Sequence, residues 1–133
     1  MIAAEELLIY AKTVWGEARG ETISGMVGVA WTIKNRMARS PWPNTVMAVC
    51  LQPLQFSAWN PNDPNFKKVL TVPLFSEPFQ RAMFVVLGVT LSILPDPTKG
   101  ADHYHHKSIS PRWSLEMTKT VDIGSHVFYN SQE

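Results

Sequence analysis

Glu17 is the residue of this chain whose position best suits acid–base chemistry. It lies near the end of the first apolar run, within residues 15–21, which read WGEARGE. Apolar residues recur there at helical spacing: Leu7, Ala11, Val14 and Ala18, flanked by Ala4, Leu8 and Trp15. At about 100° per residue, Glu17 falls at the edge of this apolar stripe. The spacing therefore predicts a carboxyl group that is half shielded and half open to whatever lies in front of the helix.

Such shielding would suit a general acid. Removal from water disfavours the charged form of a carboxyl group and raises its pKa, as a general acid working near neutral pH requires. Gly16 and Gly20 weaken the helix, so we expect Glu17 near its C-terminal end, where the helix dipole also disfavours a negative charge. The alternative is a solvated surface glutamate in a pair with Glu21, one of which Arg19 neutralises.

Length and composition indicate one domain over residues 1–133. The 133 residues are 45% hydrophobic and carry a net charge of +1, which fits a single compact core. Only 17% are charged, whereas a duplex nucleic-acid binder has a strongly basic surface. The single Cys50 excludes an internal disulfide.

The sequence contains no clear signal or membrane segment. Glu5 and Glu6 interrupt the one candidate signal segment, and the apolar run of residues 82–94 is too short to span a bilayer. We therefore expect no nucleic-acid partner and no membrane insertion.

Apolar periodicity predicts a mainly helical fold with little β structure. A second helix follows a cap at Thr22 or Ser24, and a short third helix follows a cap at Asn44. A long helix begins after Ser76 and is apolar nearly all round, which predicts a central helix wrapped by others. The last third shows short alternating segments that indicate extended structure, including Ile123, Val127 and Tyr129.

The Pro- and Asn-rich region of residues 52–73 is predicted to be a structured loop with a short helical turn near residues 66–70. Gln55, Phe56 and Ser57 combine polar side chains with an aromatic face, as sugar-binding surfaces do. The alternative is that Phe56 and the nearby Trp59 are core side chains.

Residues 103–106 read HYHH and invite a zinc hypothesis. The spacing does not suit a helical histidine pair, and no cysteine accompanies it. We therefore predict no metal and no cofactor, and favour polar aromatic residues lining a carbohydrate groove.

Six blocks in order resemble the cell-wall hydrolase family of spore cortex-lytic enzymes and bacteriophage endolysins. The resemblance covers nearly the whole chain. The blocks are GEARGE at residues 16–21, GVA at 28–30 followed by NR at 35–36, QFS at 55–57, DHYH at 102–105, SPRW at 110–113 and IGSHVFY at 123–129.

The resemblance implies a lysozyme-like single domain with a substrate groove, acting on peptidoglycan glycan strands. It implies cleavage of the β-1,4 bond between N-acetylmuramic acid and N-acetylglucosamine, with Glu17 as the catalytic glutamate. Glu21 is expected among the substrate-binding residues, in a structural or supporting role. The remaining expected substrate-binding residues come from the later blocks: Gln55, Phe56, Ser57, His103, Tyr104, His105 and Tyr129. We expect a monomer in an endolysin-like role, held in the host cytoplasm before release to the cell wall.

The reaction type depends on the number of carboxylates. A hydrolytic muramidase normally uses two, about 5–5.5 Å apart if retaining and about 6.5–9.5 Å if inverting. A lytic transglycosylase can use one and gives a 1,6-anhydro product. Glu21, Asp63 and Asp102 are possible second carboxylates, but the resemblance favours the single-acid route. Two other classes stay open, a non-catalytic peptidoglycan-binding module and a zinc amidase or peptidase that uses the histidines.

Overall fold

The computed structural model describes residues 2–132, so Met1 and Glu133, the ends of the predicted domain, lie outside it. The described chain is mainly helical, as predicted. Its helices are α1 (Ala4–Ala18), α2 (Ile23–Met37), α3 (Val46–Leu51), α4 (Asn65–Leu70) and α5 (Glu77–Thr90), with 3-10 turns at Ser57–Trp59 and Arg112–Glu116. Its strands are β1 (His103–His106), β2 (Thr118–Ile123) and β3 (His126–Asn130).

Local sequence explains where the helices begin. The Thr22 hydroxyl accepts a hydrogen bond from the Gly25 backbone N–H at 3.3 Å and caps α2, as one of the two predicted caps. For α3 the predicted cap was wrong: Thr45, not Asn44, accepts from the Ala48 N–H at 3.2 Å. The short turn predicted near residues 66–70 is present as α4.

The core lies where α1, α2 and α5 pack together. Its fully buried side chains include Tyr10, Val14, Met26, Ile33 and Val86. Burial of such side chains contributes roughly 1.5–3 kcal/mol each, which is the main stabilisation of a domain without a disulfide. Cys50 is buried in this core, as its small size allows.

The long helix α5 is not wrapped on every side. It packs against α1 and α2 through Phe79, Val85 and Val89, but Phe84, Leu87 and Leu91 are exposed. The prediction of an enclosed helix was therefore wrong for one face, because apolar composition alone does not specify how many neighbours a helix has. Within residues 2–132, no helix is both long and apolar enough to cross a membrane.

The three strands follow the helices in the chain and form one antiparallel sheet, in the order β1–β3–β2. Strand β3 lies in the middle, with Tyr104 of β1 opposite Phe128 and His103 opposite Tyr129. Because side chains alternate between the two faces of a sheet, Tyr104 and Phe128 lie on one face and His103 and His105 on the other. The sheet thus presents Tyr104 toward the helices and two histidines away from them.

Candidate active site

Glu17 occupies the predicted position, one residue before the end of α1, and its side chain is half-buried. The Tyr104 hydroxyl donates a hydrogen bond to Glu17 Oε1. Burial raises the pKa of Glu17, the negative charge of Asp63 raises it further, and the Tyr104 hydrogen bond and the charge of Arg36 oppose the rise. The carboxyl group is therefore shielded and biased toward its protonated form, as a general acid requires.

Arg19 does not neutralise either glutamate. Its Nη2 donates to Asn65 Oδ1 at 2.9 Å, and its guanidinium lies over the Trp15 ring at 4.6 Å. These contacts tie the end of α1 to α4, and among residues 2–132 Arg19 forms no ion pair with Glu17 or Glu21. The alternative of a solvated, charge-paired surface glutamate is therefore not supported.

Tyr104 is positioned by the sheet and by one glycine of α2. Its ring contacts Phe128 at 5.7 Å and His126 at 5.0 Å between centroids. Phe128 in turn packs directly on Gly28, where a Cβ would lie 2.7 Å from the Phe128 Cζ. Only a residue without a side chain allows this approach, which brings β1 close enough to α1 for the Tyr104 hydroxyl to reach Glu17.

Glu21 supports the site rather than faces the groove. Its Oε1 accepts a hydrogen bond from the Ser125 backbone N–H at 2.9 Å, in the turn between β2 and β3. Gly124 in that turn has φ +56°, and a Cβ there would lie 2.7 Å from Glu21 Oε1. The contact therefore fixes the sheet to the α1–α2 connection, which fits the supporting role and not the substrate contact expected from the resemblance.

Asp102 is also structural. Its side chain is fully buried and accepts hydrogen bonds from Arg39 Nη1 at 3.0 Å and from Ser131 N at 3.0 Å and Oγ at 2.8 Å. His103 Nδ1 lies 2.9 Å from Asp102 Oδ1. Burial alone would raise the pKa of Asp102, but the hydrogen bonds from His103 and Ser131 outweigh it and lower the pKa to about 2. Asp102 thus holds the start of β1 and has no free oxygen to activate a water.

A groove of 380 Å³ lies beside Tyr104. Its lining contains three of the predicted substrate-binding residues, Gln55, His103 and Tyr104. The other lining residues are Arg36, Leu54, Trp113 and Met117. The loop at residues 54–55 and the 3-10 turn carrying Trp113 therefore both line this groove, which is large enough for part of a sugar chain. Glu17 is not itself among the lining residues, but Tyr104 connects it to the groove through its hydroxyl.

Besides Glu21, four of the predicted contact residues are not part of this lining: Phe56, Ser57, His105 and Tyr129. Phe56 is 2% exposed and belongs to the core, so the core alternative holds for it. Trp59 is likewise inward, donating from Nε1 to Thr13 Oγ1 at 2.8 Å. The buried Tyr129 ring stacks on the His105 ring, with 5.3 Å between centroids. Trp113 contacts both rings in T-shaped arrangements. Ser57 is exposed at the start of its 3-10 turn, outside the groove lining.

Four groove residues were not assigned to substrate from the motifs: Arg36, Leu54, Trp113 and Met117. Of these, Arg36 and Trp113 lie within the motif blocks. Trp113 lies 5.1 Å from the His103 ring and belongs to the SPRW block, so its block was identified but not its role. The Arg36 Nε donates to the Asp102 backbone oxygen at 2.7 Å, because residues 96–102 return alongside α2.

The histidines are held by separate neighbours. His103 contacts Asp102, His105 Nε2 lies 3.0 Å from the Tyr129 hydroxyl, and His106 Nδ1 lies 2.8 Å from Ser108 Oγ. In the part of the chain that the structure describes, no three His, Cys, Asp or Glu side chains come together as a metal site would require.

A second cavity of 420 Å³ lies among α1, α2, α3 and α5. It is lined in part by Glu6, Tyr10 and Lys34. Glu6 accepts a hydrogen bond from the Met47 N–H at 3.2 Å, and Lys34 Nζ donates to the Val89 oxygen at 2.8 Å. Both charged groups thus serve the packing of the helices, and the groove beside Glu17 is the candidate active site.

Replacing Tyr104 by phenylalanine tests the contact to the acid. The hydrogen bond from Tyr104 lowers the pKa of Glu17, so its loss should raise that pKa further. If Glu17 acts as an acid, activity falls as the pH rises through its pKa, and Tyr104→Phe should move this fall to higher pH while lowering the maximum rate by about ten-fold. The pH profile of kcat/KM measures both. Tyr129→Phe, which removes a hydroxyl bound to His105, is the matched control, and an equal shift in that variant would contradict the assignment.

The fold and site together define a helical, lysozyme-like domain with one shielded acid beside a groove. A family model described as Cell Wall Hydrolase matches residues 20–129. The chain therefore belongs to the cell wall hydrolase family, and the resemblance seen in its motifs is confirmed. Because the matched range begins at Gly20, the role of Glu17 depends on its geometry rather than on this match.

Curated relatives are named spore cortex-lytic enzymes. That of Halalkalibacterium halodurans is 30% identical over 126 residues, which are 94% of this chain and 34% of the relative. That of Bacillus cereus is 30% identical over 124 residues, 92% of this chain and 43% of the relative. That of Bacillus subtilis is 30% identical over 125 residues, 92% of this chain and 37% of the relative. This chain thus spans less than half the length of these relatives.

Two solved structures share the fold. One is the catalytic domain of the germination-specific lytic transglycosylase SleB from Bacillus anthracis, with a TM-score of 0.81, 28% identity and 97% of both chains covered. The other is the catalytic domain of the Bacillus cereus SleB protein, with a TM-score of 0.81, 28% identity, and 98% of this chain and 93% of that chain covered. The predicted fold class is confirmed.

Proposed function

We propose that this chain cleaves the β-1,4 bond between N-acetylmuramic acid and N-acetylglucosamine in peptidoglycan, as a lytic transglycosylase. The observation that carries the proposal is the shielded Glu17 carboxyl group, with its raised pKa and its hydrogen bond from Tyr104, which lines the groove. Membership of the cell wall hydrolase family and the fold shared with a domain named as a lytic transglycosylase support it.

The proposed reaction uses one group twice. Protonated Glu17 donates its proton to the glycosidic oxygen as the bond from that oxygen to C1 of the muramic acid breaks. The C6 hydroxyl of the same sugar attacks C1, and the Glu17 carboxylate takes its proton. A 1,6-anhydro ring forms, Glu17 returns to its protonated form, and no water is consumed. The nucleophile is tethered to the reacting ring, which lowers the entropic cost of the attack.

The positions of the other carboxylates favour this route over hydrolysis. A hydrolytic enzyme normally needs a second carboxylate as nucleophile or base. Glu21 is bound to Ser125 and Asp102 is enclosed by its hydrogen-bond partners. Asp63 is the remaining candidate: its charge acts on Glu17, and its Oδ1 accepts from the Asn65 N–H at 2.8 Å. A muramidase built on this fold would therefore use Asp63.

Mass analysis of the digestion products tests the reaction type. Transglycosylation predicts fragments ending in 1,6-anhydromuramic acid, each lighter by one water than the hydrolytic fragment and resistant to borohydride reduction. Asp63→Asn should retain activity to within about ten-fold, because that side chain has no chemical step in this route. Reducible muramic ends that disappear in Asp63→Asn would instead identify a two-carboxylate muramidase.

A non-catalytic binding module is the second candidate considered from the sequence. Such a module would use the same groove without a shielded acid, so the raised pKa of Glu17 argues against it. Binding of purified glycan with no release of soluble fragments at any pH would favour it.

We also propose the endolysin-like setting expected from the sequence, with the protein held in the host cytoplasm until it reaches the wall. The proposal is supported by the family resemblance alone, and the relatives found are named for spore cortex lysis instead. Expression in a bacterium with and without a membrane-permeabilising agent tests it. Lysis confined to permeabilised cells is expected, and lysis without permeabilisation would refute it.

A further inference from the structure

We propose that Arg36 binds a carboxylate presented by the muramic acid residue of the glycan and so fixes which sugar lies beside Tyr104. The inference rests on the proposed function, but it concerns a residue that the proposed proton transfers do not use. Arg36 lies in the last turn of α2, is 6% exposed, and contributes to the groove lining.

The Arg36 guanidinium is buried without an ion-pair partner. Among residues 2–132, no carboxylate lies within ion-pair distance of it. The adjacent Asp102 directs its carboxylate to Arg39 and offers Arg36 only its backbone oxygen. A buried charge without a counterion is costly. Residues 2–132 therefore hold a cation beside the groove that forms no direct ion pair, although the charges of Asp102 and Glu17 act on it from a distance.

The surroundings hold the guanidinium in place but leave donors for a ligand. Its Nε donates to the Asp102 oxygen at 2.7 Å, and its Nη1 donates to Gln55 Oε1 at 3.3 Å. The rings of Trp42 and Phe56 lie 5.4 and 5.6 Å away and favour a cation. A guanidinium has five N–H donors; two have acceptors here, so three are left for a ligand. The longer of the two bonds goes to Gln55, an exposed side chain that a ligand can displace.

A planar, rigid set of N–H donors matches a carboxylate, which can accept two hydrogen bonds side by side. In a glycan of N-acetylglucosamine and muramic acid, only muramic acid carries a substituent with a carboxyl group. That carboxylate is either the free lactyl group of a peptide-free strand or a carboxylate of the attached peptide. Its capture by Arg36 would orient the strand, because N-acetylglucosamine offers no such group at that position.

Binding to the Glu17→Gln protein, which should not turn the glycan over, tests the inference. The probes are peptide-free and peptide-bearing glycan oligomers, each with its carboxylates free or converted to neutral amides. We expect the free-acid form to bind about ten-fold tighter or more. A preference in peptide-free strands identifies the lactyl carboxylate, and one confined to peptide-bearing strands identifies the peptide. Equal affinity for acid and amide in both kinds of strand would overturn the inference.

Gln55→Glu provides the sharpest variant, because it places a carboxylate next to Arg36 Nη1 without altering a buried side chain. This carboxylate should form an ion pair with the guanidinium, so that the ratio of affinities for the free-acid and amide forms falls to near one. Gln80→Glu adds the same charge at an exposed site on α5, outside the groove lining, and should keep the preference. An equal loss in both variants would show a general charge effect and refute a specific site at Arg36.

Turnover by the wild-type protein separates this inference from the proposed function. A free-acid preference without any cleavage would support the Arg36 site and refute the transglycosylase. Cleavage to anhydro products, with equal binding of the free-acid and amide forms, would support the transglycosylase and refute the Arg36 site.

Discussion

Glu17→Gln should lower the rate of glycan cleavage by at least about 10² to 10⁴-fold, because it removes the proton donor and keeps the shape of the side chain. The amide can still accept the hydrogen bond from Tyr104, so the groove should remain intact. Release of soluble fragments from purified cell walls measures the loss. If the variant digested the cell walls at the wild-type rate, Glu17 would not be the proton donor.

The same variant should be at least as stable as the wild type, with a difference that depends on pH. Burial raises the folded-state pKa of Glu17 above its ordinary value of 4.5. Below that value the group is protonated in both folded and unfolded chains. As the pH rises through the folded pKa, ionisation of the shielded carboxyl group lowers the stability of the wild type but not of Glu17→Gln. The Tm of the variant relative to wild type should therefore increase across this window, and a decrease would contradict the shielding.

Asp102→Ala should cause the largest loss of stability, about 3 kcal/mol or more. It leaves Arg39, His103 and Ser131 without the carboxylate that they share, in a position with no solvent access. For a domain of this size, the expected fall in Tm is about 10 °C. The exposed ion pair of Lys119 and Asp122, at 3.0 Å, gives a matched control, and Asp122→Ala should change stability by less than about 1 kcal/mol.

Acid titration gives a second test of Asp102. Folding lowers the pKa of Asp102 from 3.8 to about 2. Its contribution to the free energy of unfolding is therefore fully present above pH 3.8 and is lost as the pH falls from 3.8 to about 2. The loss amounts to about 2 kcal/mol at most. Urea unfolding between about pH 4 and pH 2 should show this decline in the wild type and a smaller one in Asp102→Asn. If the free energy of unfolding fell equally with pH in the two proteins, the hydrogen-bond network around Asp102 would be contradicted.

The helices and the acid were predictable because their signals are local. Helical spacing located α1 and α2, and the stripe edge located Glu17 with the correct direction of its pKa shift. The strands were less clear, because each is only four to six residues long and has mixed polarity. Of the later motif residues predicted to contact substrate, Gln55, His103 and Tyr104 line the groove.

What the sequence did not determine was which side of each element faces the groove. Phe56 and Tyr129 have the same aromatic character as groove residues, yet one packs in the core and the other lies under Trp113. Nothing in the local sequence indicated that Arg36 contacts the Asp102 backbone, which lies 66 residues away in the chain. Such contacts are set by tertiary packing, which periodicity within one helix does not encode.

The contact between Glu17 and Tyr104 joins residues 87 positions apart, which has a consequence for synthesis on the ribosome. Glu17 is translated well before Phe128, which supports Tyr104, and before Ser131, which holds Asp102. Because β3 is the middle strand, β1 and β2 have no partner until residues 126–130 have left the exit tunnel. A nascent chain therefore exposes its acid to water without the groove around it, and messages truncated before codon 126 should yield inactive protein.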